Sequence, residues 1–521
     1  MKSKIIIGLL SGLGLFSACN DVWDEHYDRN GSVPNVNLME LIRQDEALST
    51  FARILEKTGA DSLLVSSQTY TVWAPVNEAL KNVNMNDEAA LRRLVNNHIA
   101  RYTSPTSTAT NKYVYMLNGK KTTYSADGKF NGATIIGADH VAENGLMHKL
   151  SDTITYRFNF WEYISVNENY SKVYNFLKRF NKKVYSPSLS AGDDSVFVDY
   201  NPLLEHRLYG IGMINNEDSL YTMILPDNAA WDVAYARVSP YFANYNKDQA
   251  VADSIRDVQA GQAIVNGLTF RGRIDNPAVL DSLVTVYGDV IREPSRYLQS
   301  YAKMEASNGL MYLAGGNLFM DDTCTWNYKI PVEAEDVNYR TIGTGSNAYV
   351  RNTEASNLVQ GISQNSYLEV SRASGVAEVT FKIPQLLAGK YDIYVDFVPP
   401  IVDGVALAQE KTRLEFRLTY PKVESSGTSN MERKGRNDDE LIIGGHDVED
   451  NKIISLKVWG GVEFPAANYY DNMWFANEEN SMDDMTIRTT LRIRTNLNTD
   501  DLNNGMRRRF RVDRIRFVPV P

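Results

Sequence analysis

The chain has 521 residues, 23% of them charged, a net charge of −10 and a pI near 5.3. Nucleic-acid binding needs a basic face to neutralise phosphates, so this balance argues against such a partner. The one basic run, Arg507-Arg508-Arg509 with Arg511, alternates into a strand and reads as a solvated face. Two to four domains are expected at this length.

The chain opens Met1-Lys2-Ser3-Lys4, runs apolar and uncharged from Ile5 to Phe16, and reaches Ser17-Ala18-Cys19. That order is a secretory signal with a small-residue cleavage site, and the apolar run is too short to span about 30 Å of hydrocarbon. Phe16-Ser17-Ala18-Cys19 resembles the lipobox of bacterial lipoproteins. The resemblance implies removal of residues 1–18, a diacylglyceryl group and an added acyl chain on Cys19, and attachment to a membrane through that lipid. Residues 19–35 read as an acidic tether, with four acidic side chains between Asn20 and Asp28. Acidic residues at this place resemble an export signal of Gram-negative lipoproteins, which implies the outer membrane and its exterior face. Cys324 is the only other cysteine, so a lipidated Cys19 leaves no intramolecular disulfide, and the core must supply stability.

An internal repeat organises the next 300 or so residues. Tyr70-Thr71-Val72-Trp73-Ala74-Pro75-Val76-Asn77-Glu78-Ala79-Leu80 is echoed by Tyr221-Thr222-Met223-Ile224-Leu225-Pro226-Asp227-Asn228-Ala229-Ala230-Trp231. Proline ends each strand and a helix starts behind it. Asp227 is a good N-cap; Val76 cannot cap, so Asn77 is expected to take over. Downstream, Asn144-Gly145-Leu146-Met147-His148 is matched by Asn308-Gly309-Leu310-Met311-Tyr312, a tight-turn signal before a strand. The interval from Tyr221 to Asn308 exceeds that from Tyr70 to Asn144, so the second copy carries an insertion. Before each copy an amphipathic helix is predicted: Leu48, Phe51, Ile54 and Leu55 share one face of the first, and Tyr170, Val173, Tyr174 and Leu177 share one face of the second.

These segments resemble the two signature regions of fasciclin-type domains, an α+β fold with a wedge of strands and a small helical layer. The resemblance implies domains at 36–156 and, diverged, at 157–327. Leu94-Val95-Asn96-Asn97-His98-Ile99 stands where the family has a Tyr-His pair; here Asn97 precedes His98, and the second copy has Asn266-Gly267. Adhesion is the role the family implies.

From about Lys329 short alternating strands take over: Tyr391 to Phe397, Leu414 to Leu418, Ile453 to Val458, Thr486 to Ile493 and Arg511 to Val518. This texture predicts an all-β sandwich over 328–521. Its opening Ile330-Pro331-Val332-Glu333-Ala334-Glu335-Asp336 and its close Val512-Asp513-Arg514-Ile515 resemble a carbohydrate-binding module of the calcium-carrying jelly-roll type. The resemblance implies a structural calcium held by Glu333, Glu335 and Asp513; edge-strand charge is the bland alternative. Carboxylates suit a hard cation.

Six histidines are present, none in a zinc-binding spacing. His140 and His148 could approach across a hairpin. His98 and His148 are expected to satisfy buried backbone groups through both ring nitrogens. No nucleophile elbow, phosphate loop or dinucleotide fingerprint occurs. For ligand contact the richest stretch is Asn468-Tyr469-Tyr470-Asp471-Asn472-Met473-Trp474, where Tyr469, Tyr470 and Trp474 suit sugar stacking and Asn468 and Asn472 suit hydroxyls; an aromatic loop folded back on the sandwich is the alternative.

The expectation is therefore a multidomain surface lipoprotein with no catalytic residues and no required cofactor, recognising glycan or a protein partner. A role as accessory lipoprotein of an outer-membrane glycan-uptake complex, docking on a transporter, is a second reading. A polysaccharide hydrolase is a third, for which no residue pattern asks.

Overall fold

Each proline-terminated segment forms a strand buried on both sides, and the rest of its unit is built around it. The computed structural model describes residues 35–190, 195–206, 210–244, 248–298, 301–320, 331–352, 359, 361–384, 386–399, 401–402, 405–406, 411–421, 428–435, 442–443, 453–467 and 489–520. The chain divides into two units, residues 1–158 and 159–521, taken here one at a time.

In the first unit Asn37 caps helix Leu38–Gln44, closing a capping box with Glu40, an arrangement worth about 1 kcal/mol. Helix Ser49–Thr58 buries Phe51, Ile54 and Leu55 and stops at Gly59, whose φ of 73° ends the helix in a left-handed turn. Strand β1 (Tyr70–Pro75) pairs antiparallel with β2 (Ile99–Arg101) and parallel with β7 (Gly145–Leu150). Strands β3 (Lys112–Tyr115), β4 (Lys121–Ser125), β5 (Lys129–Phe130) and β6 (Ala133–Ala142) complete a sheet of order β2-β1-β7-β6-β5-β4-β3. Its ends meet: Ala100 bridges Met116, and the Leu117 N–H donates to Ile99 O at 2.8 Å. The curled sheet separates two cores. Tyr70, Val72 and Ala74 face the helices with Phe51 and Ile54, while Trp73 turns inside the curl with Tyr124 and Phe130. The period-2 alternation of a strand explains why β1 is apolar throughout: both its faces are covered.

Residues 159–320 repeat this plan. Strand β8 (Lys182–Tyr185) and β9 (Phe197–Tyr200) form an added hairpin. Strand β10 (Tyr221–Pro226) then lies between β11 (Thr269–Arg271) and β15 (Gly309–Ala314), β14 (Ala302–Ala306) flanks β15, and β12 (Leu283–Val284) and β13 (Val290–Ile291) pair with each other as a separate two-stranded sheet. The repeat extends to single bonds. Trp73 N–H donates to His98 O at 2.9 Å, and Ile224 N–H to Leu268 O at 2.9 Å. Asn144 accepts from the Leu38 N–H and donates to Leu64 O and Ser66 O; Asn308 accepts from Phe160 and donates to Ile214 O and Asn216 O. A Cβ on Gly145 would fall 1.9 Å from Tyr70 O, and one on Gly309 would fall 1.9 Å from Tyr221 O. Glycine is needed there because the parallel neighbour passes so close. The longer interval in this copy is taken up largely by helix Gln249–Asn266, 18 residues against 9 in helix Glu88–Asn96.

Asp227 caps its helix through Ala230 N–H at 2.7 Å. Asn77 does not cap: it accepts from Thr50 N–H and donates to Glu46 O, tying two helices together, and Asn228 does the same with Lys172 and Glu168. The expectation for Asn77 fails because its side chain is already committed to Thr50 and Glu46, 27 and 31 positions earlier in the chain.

Two sheets follow in the same unit. The first contains β16 (Pro331–Glu333), β18 (Asn347–Asn352), β19 (Ser366–Ser371), β21 (Gly389–Phe397), β27 (Ile454–Phe464) and β29 (Arg509–Pro519). The second contains β17 (Arg340–Ile342), β20 (Glu378–Lys382), β24 (Thr412–Pro421), β25 (Thr428–Lys434), β26 (Ile442–Ile443) and β28 (Thr490–Thr495), while β22 (Ile401–Val402) and β23 (Val405–Ala406) pair alone. Ile393, Val395, Val512 and Ile515 from one sheet share a core with Phe381, Phe416 and Ile493 from the other. Leu387 and Ala467 join the core of residues 159–320, and the Ala388 N–H donates to Tyr241 O at 2.9 Å. Arg511 is not solvated as its run suggested. It is 4% exposed and donates to Glu369 on the neighbouring strand at 2.8 Å.

Candidate functional site

The two signature histidines of the first unit are locked in opposite tautomers. His98 is fully buried; its Nδ1–H donates to Leu94 O at 2.7 Å and its Nε2 accepts the Ile154 N–H at 3.0 Å. A proton on Nε2 would face another N–H, and burial drives the ring's pKa down to about 4. His148, also fully buried, accepts the Asp139 N–H on Nδ1 at 3.2 Å and donates from Nε2 to Ser104 O at 3.0 Å. Burial lowers its pKa as well. The Asp139 carboxylate stands 3.9 Å from Nδ1; because that nitrogen accepts a proton-bearing amide, the contact is not an ion pair. Both rings therefore act as backbone connectors. Asn97 adds a bond to Ile154 O at 3.3 Å, and Leu268 stands at the position of His98 in the repeat. His140 pairs across the ladder with Met147, and its buried Nε2 has no hydrogen-bond partner. His140 and His148 thus form no paired ligand set.

Of the carboxylates named at the ends of the sandwich, Glu333 and Asp513 share a hydrogen-bond partner, Ser363, and the charge of Glu333 is felt at Glu335. Strand β16 lies antiparallel on β29 with Glu333 opposite Arg514, and the Ala334 N–H donates to Asp513 O at 3.0 Å. Val332 and Ala334 point into the core, so Glu333 and Glu335 share the other face. On β29 the pairing with β21 jumps from Arg514 opposite Asp396 to Val512 opposite Phe397. Asp513 is therefore the extra residue of a β-bulge, the irregularity that re-aims a side chain. Ser363 bridges the group: its hydroxyl donates to Glu333 Oε1 at 2.8 Å and its N–H to Asp513 Oδ1 at 2.9 Å.

One oxygen on each carboxylate is buried without a hydrogen bond: Glu333 Oε2, Glu335 Oε2 and Asp513 Oδ2. Burial raises the pKa of Glu333 and Glu335, and pushes that of Asp513 up to about 7 despite the Ser363 N–H and the Arg514 charge. Acceptor-only oxygens removed from water are the donor set of a hard cation such as calcium. The spacing is looser than a preformed cage: among the described residues no group of three or more His, Cys, Asp or Glu side chains stands close enough to hold an ion. An ion here would have to draw the side chains together. Close by, Asp396 receives Arg514 Nε at 3.0 Å and Arg516 Nε at 2.8 Å. Burial alone would raise its pKa; the hydrogen bonds from Arg516, Ser455 and Arg514 outweigh it and hold the carboxyl below its usual range.

Neither Ser363 nor Asp396 was expected from sequence. Ser363 lies in a turn with no motif of its own, and only the fold brings it beside residues 30 and 150 positions away. Asp396 reads as one polar position in an alternating strand. Cys19 and the stretch with Asn468, Tyr469, Tyr470, Asn472 and Trp474 lie outside the described residues. Among the described residues no helix is long and apolar enough to cross a membrane.

Residues 46–155 match the family model of the Fasciclin domain. No curated protein matches the chain. Among solved structures, a FAS1 domain pair from the insect cell adhesion molecule Fasciclin I is similar at 14% identity, over 54% of this chain and 99% of that one, with a TM-score of 0.20. A xanthan lyase from Paenibacillus aligns at 10% identity over 37% of this chain and 13% of its own, with a TM-score of 0.22. The CBM22-1–GH10 modules of a Clostridium thermocellum xylanase align at 9% identity over 36% of this chain and 28% of theirs, with a TM-score of 0.21. This chain spans a small part of either enzyme, and scores of this size carry no argument about function.

Proposed function

We propose that the chain is a lipid-anchored surface protein with a non-catalytic binding or adhesion role, recognising glycan or a protein partner. The observation that carries this reading is the Fasciclin domain at residues 46–155, a domain type associated with adhesion and binding. Its two buried histidines, His98 and His148, are committed to backbone bonds, which suits a scaffold. The repeated bonds of residues 159–320 support a second, diverged fasciclin-type domain there. The paired sheets beyond support a jelly-roll-like module, with Glu333, Glu335 and Asp513 taking a structural calcium that joins its first and last strands. The lipobox-like Phe16-Ser17-Ala18-Cys19 supports anchoring at the outer membrane, facing outward. The test is a glycan array and a surface-protein pull-down with the full chain. Specific retention of a glycan or of one protein is the expected result; recovery of neither overturns the proposal.

A further inference from the structure

The two copies share their backbone connections but differ in the chemistry of the side chains that close them. In the first, Thr71 donates to Tyr102 O at 2.7 Å and accepts the Ser104 N–H at 2.9 Å. In the second, Thr222 donates to Gly272 O at 3.0 Å and accepts the Ile274 N–H at 2.9 Å. Ser104 and Ile274 are therefore equivalent positions. So are His148 and Tyr312, which lie opposite Trp73 and Ile224 in the same parallel register. Each sends a bond to the equivalent carbonyl: His148 Nε2 to Ser104 O at 3.0 Å, and the Tyr312 hydroxyl to Ile274 O at 2.8 Å. An imidazole can take up a second proton below neutral pH, and a phenol cannot.

Two further differences run the same way. Where His98 ties Leu94 O to the Ile154 N–H, the second copy has Leu268, buried in its core together with Leu318, which follows β15 as Ile154 follows β7. Strand β6 is irregular against β7, and Asp139, with φ 53°, turns its N–H onto His148 Nδ1. Strand β14 instead runs in unbroken register along β15, with Lys303 opposite Tyr312. His206 is the only histidine of residues 159–320 and stands at neither position.

A proton added to either buried ring meets an N–H. On His98 it would sit on Nε2 against the Ile154 amide, and on His148 it would sit on Nδ1 against the Asp139 amide. His98 is surrounded by Phe51, Leu94 and Ile154, and burial is the largest influence on it. His148 has Trp73 and Tyr124 against its ring, His140 nearby on β6, and the Asp139 carboxylate 3.9 Å from Nδ1. That carboxylate favours a charged ring, but burial outweighs it, and Thr106 already donates to it from both its N–H and its hydroxyl. His140 is lowered by burial and by Lys149, against the pull of Asp45 and Asp139. All three histidines therefore resist protonation in the fold and accept it when the chain opens.

We propose that the first copy is an acid-opened element: mildly acidic pH opens residues 36–156 selectively and reversibly, while the second copy keeps its fold. The proposal rests on the paired bonds of the two copies and is independent of what the chain binds. Nature has in effect made the control within one chain, since the second copy closes the same connections without a group that titrates between pH 7 and 5.

The test is hydrogen exchange of the full chain at pH 7, 6 and 5, corrected for intrinsic rates, comparing peptides over β1 and β7 with peptides over β10 and β15. Between pH 7 and 5 the first pair should lose at least about thirtyfold in protection, and the second should stay within about threefold. Return to pH 7 should restore the first. His98→Leu/His148→Tyr gives the first copy the residues of the second, and its loss should shrink to that of the second copy. Should the double variant not fold, His148→Tyr alone, which reproduces a bond the second copy already makes, should reduce the loss in part. Parallel loss in both copies, or none in the first, overturns the proposal from the wild type alone. A folded variant that keeps the full loss overturns the assignment to the histidines.

Discussion

Lowering the pH from 7 to 5 should loosen the first unit through His98. In the folded chain this ring stays neutral down to about pH 4, because its Nε2 must accept the Ile154 N–H. In the unfolded chain it protonates below about 6.5. Across that window the unfolded state binds more protons, so the contribution is fully present above pH 6.5 and is lost as the pH falls toward 4. The loss attributable to His98 is about 2 kcal/mol at pH 5 and about 3 kcal/mol at pH 4. His148, whose pKa is lowered by burial as well, adds loss of the same sign. Hydrogen exchange followed by mass spectrometry, corrected for intrinsic rates, should show protection in peptides covering β1 and β7 dropping about thirtyfold from pH 7 to 5. Imidazole nitrogen NMR should show Nδ1–H on His98 and Nε2–H on His148. A His98 that titrates near 6.5 in the folded protein, or protection that does not change with pH, would refute the reasoning.

Gly145→Ala should push β1 and β7 apart at the Tyr70 carbonyl and cost about 3 kcal/mol, read as a lower urea midpoint; an unchanged midpoint would mean the strands can separate freely. Glu369→Gln removes the carboxylate that holds the buried Arg511 guanidinium at 2.8 Å. A destabilisation of roughly 3–5 kcal/mol is expected in calorimetry, and a cost below 1 kcal/mol would contradict the buried-pair assignment. Calcium at 10 mM, added after chelator treatment, should stabilise the second unit. With a dissociation constant of about 10⁻⁴ M, common for extracellular modules, the gain is about 2.7 kcal/mol, or roughly 5–10 °C in Tm. Asp513→Asn should abolish that response; equal melting with and without calcium removes the ion from the site.

Much of the first unit was legible in the linear chain. Proline after an apolar run marked where β1 and β10 end, Asn-Gly marked the entry to β7 and β15, and both histidines could be recognised as bridges between backbone groups. The Fasciclin match covers residues 46–155, which contain those signals of the first copy. Short strands near Tyr391, Leu414 and Arg511 were likewise readable, because alternation is a local property of a half-buried sheet. Legibility failed where a side chain's partner is remote. Asn77 was read as a cap when it serves another helix, and Arg511 as solvated when Glu369 on the adjacent strand covers it. Ser363 could not be connected to Glu333 and Asp513 from any spacing.

What the amino-acid order determined by itself is which residues are apolar, where strands and helices stop, and that one pattern occurs twice. Those follow from steric limits on proline and glycine and from the two repeat periods of regular structure. Which face of a strand meets a core, and which meets water, was decided only by tertiary packing. Tyr113, Tyr115 and Tyr124 are alike in sequence, yet the curl of one sheet buries the third and leaves the first two outside. The same holds for the carboxylates: a bulge in β29 and the docking of β16 bury three carboxylate oxygens that have no hydrogen bond, and burial, not composition, gives them their chemistry.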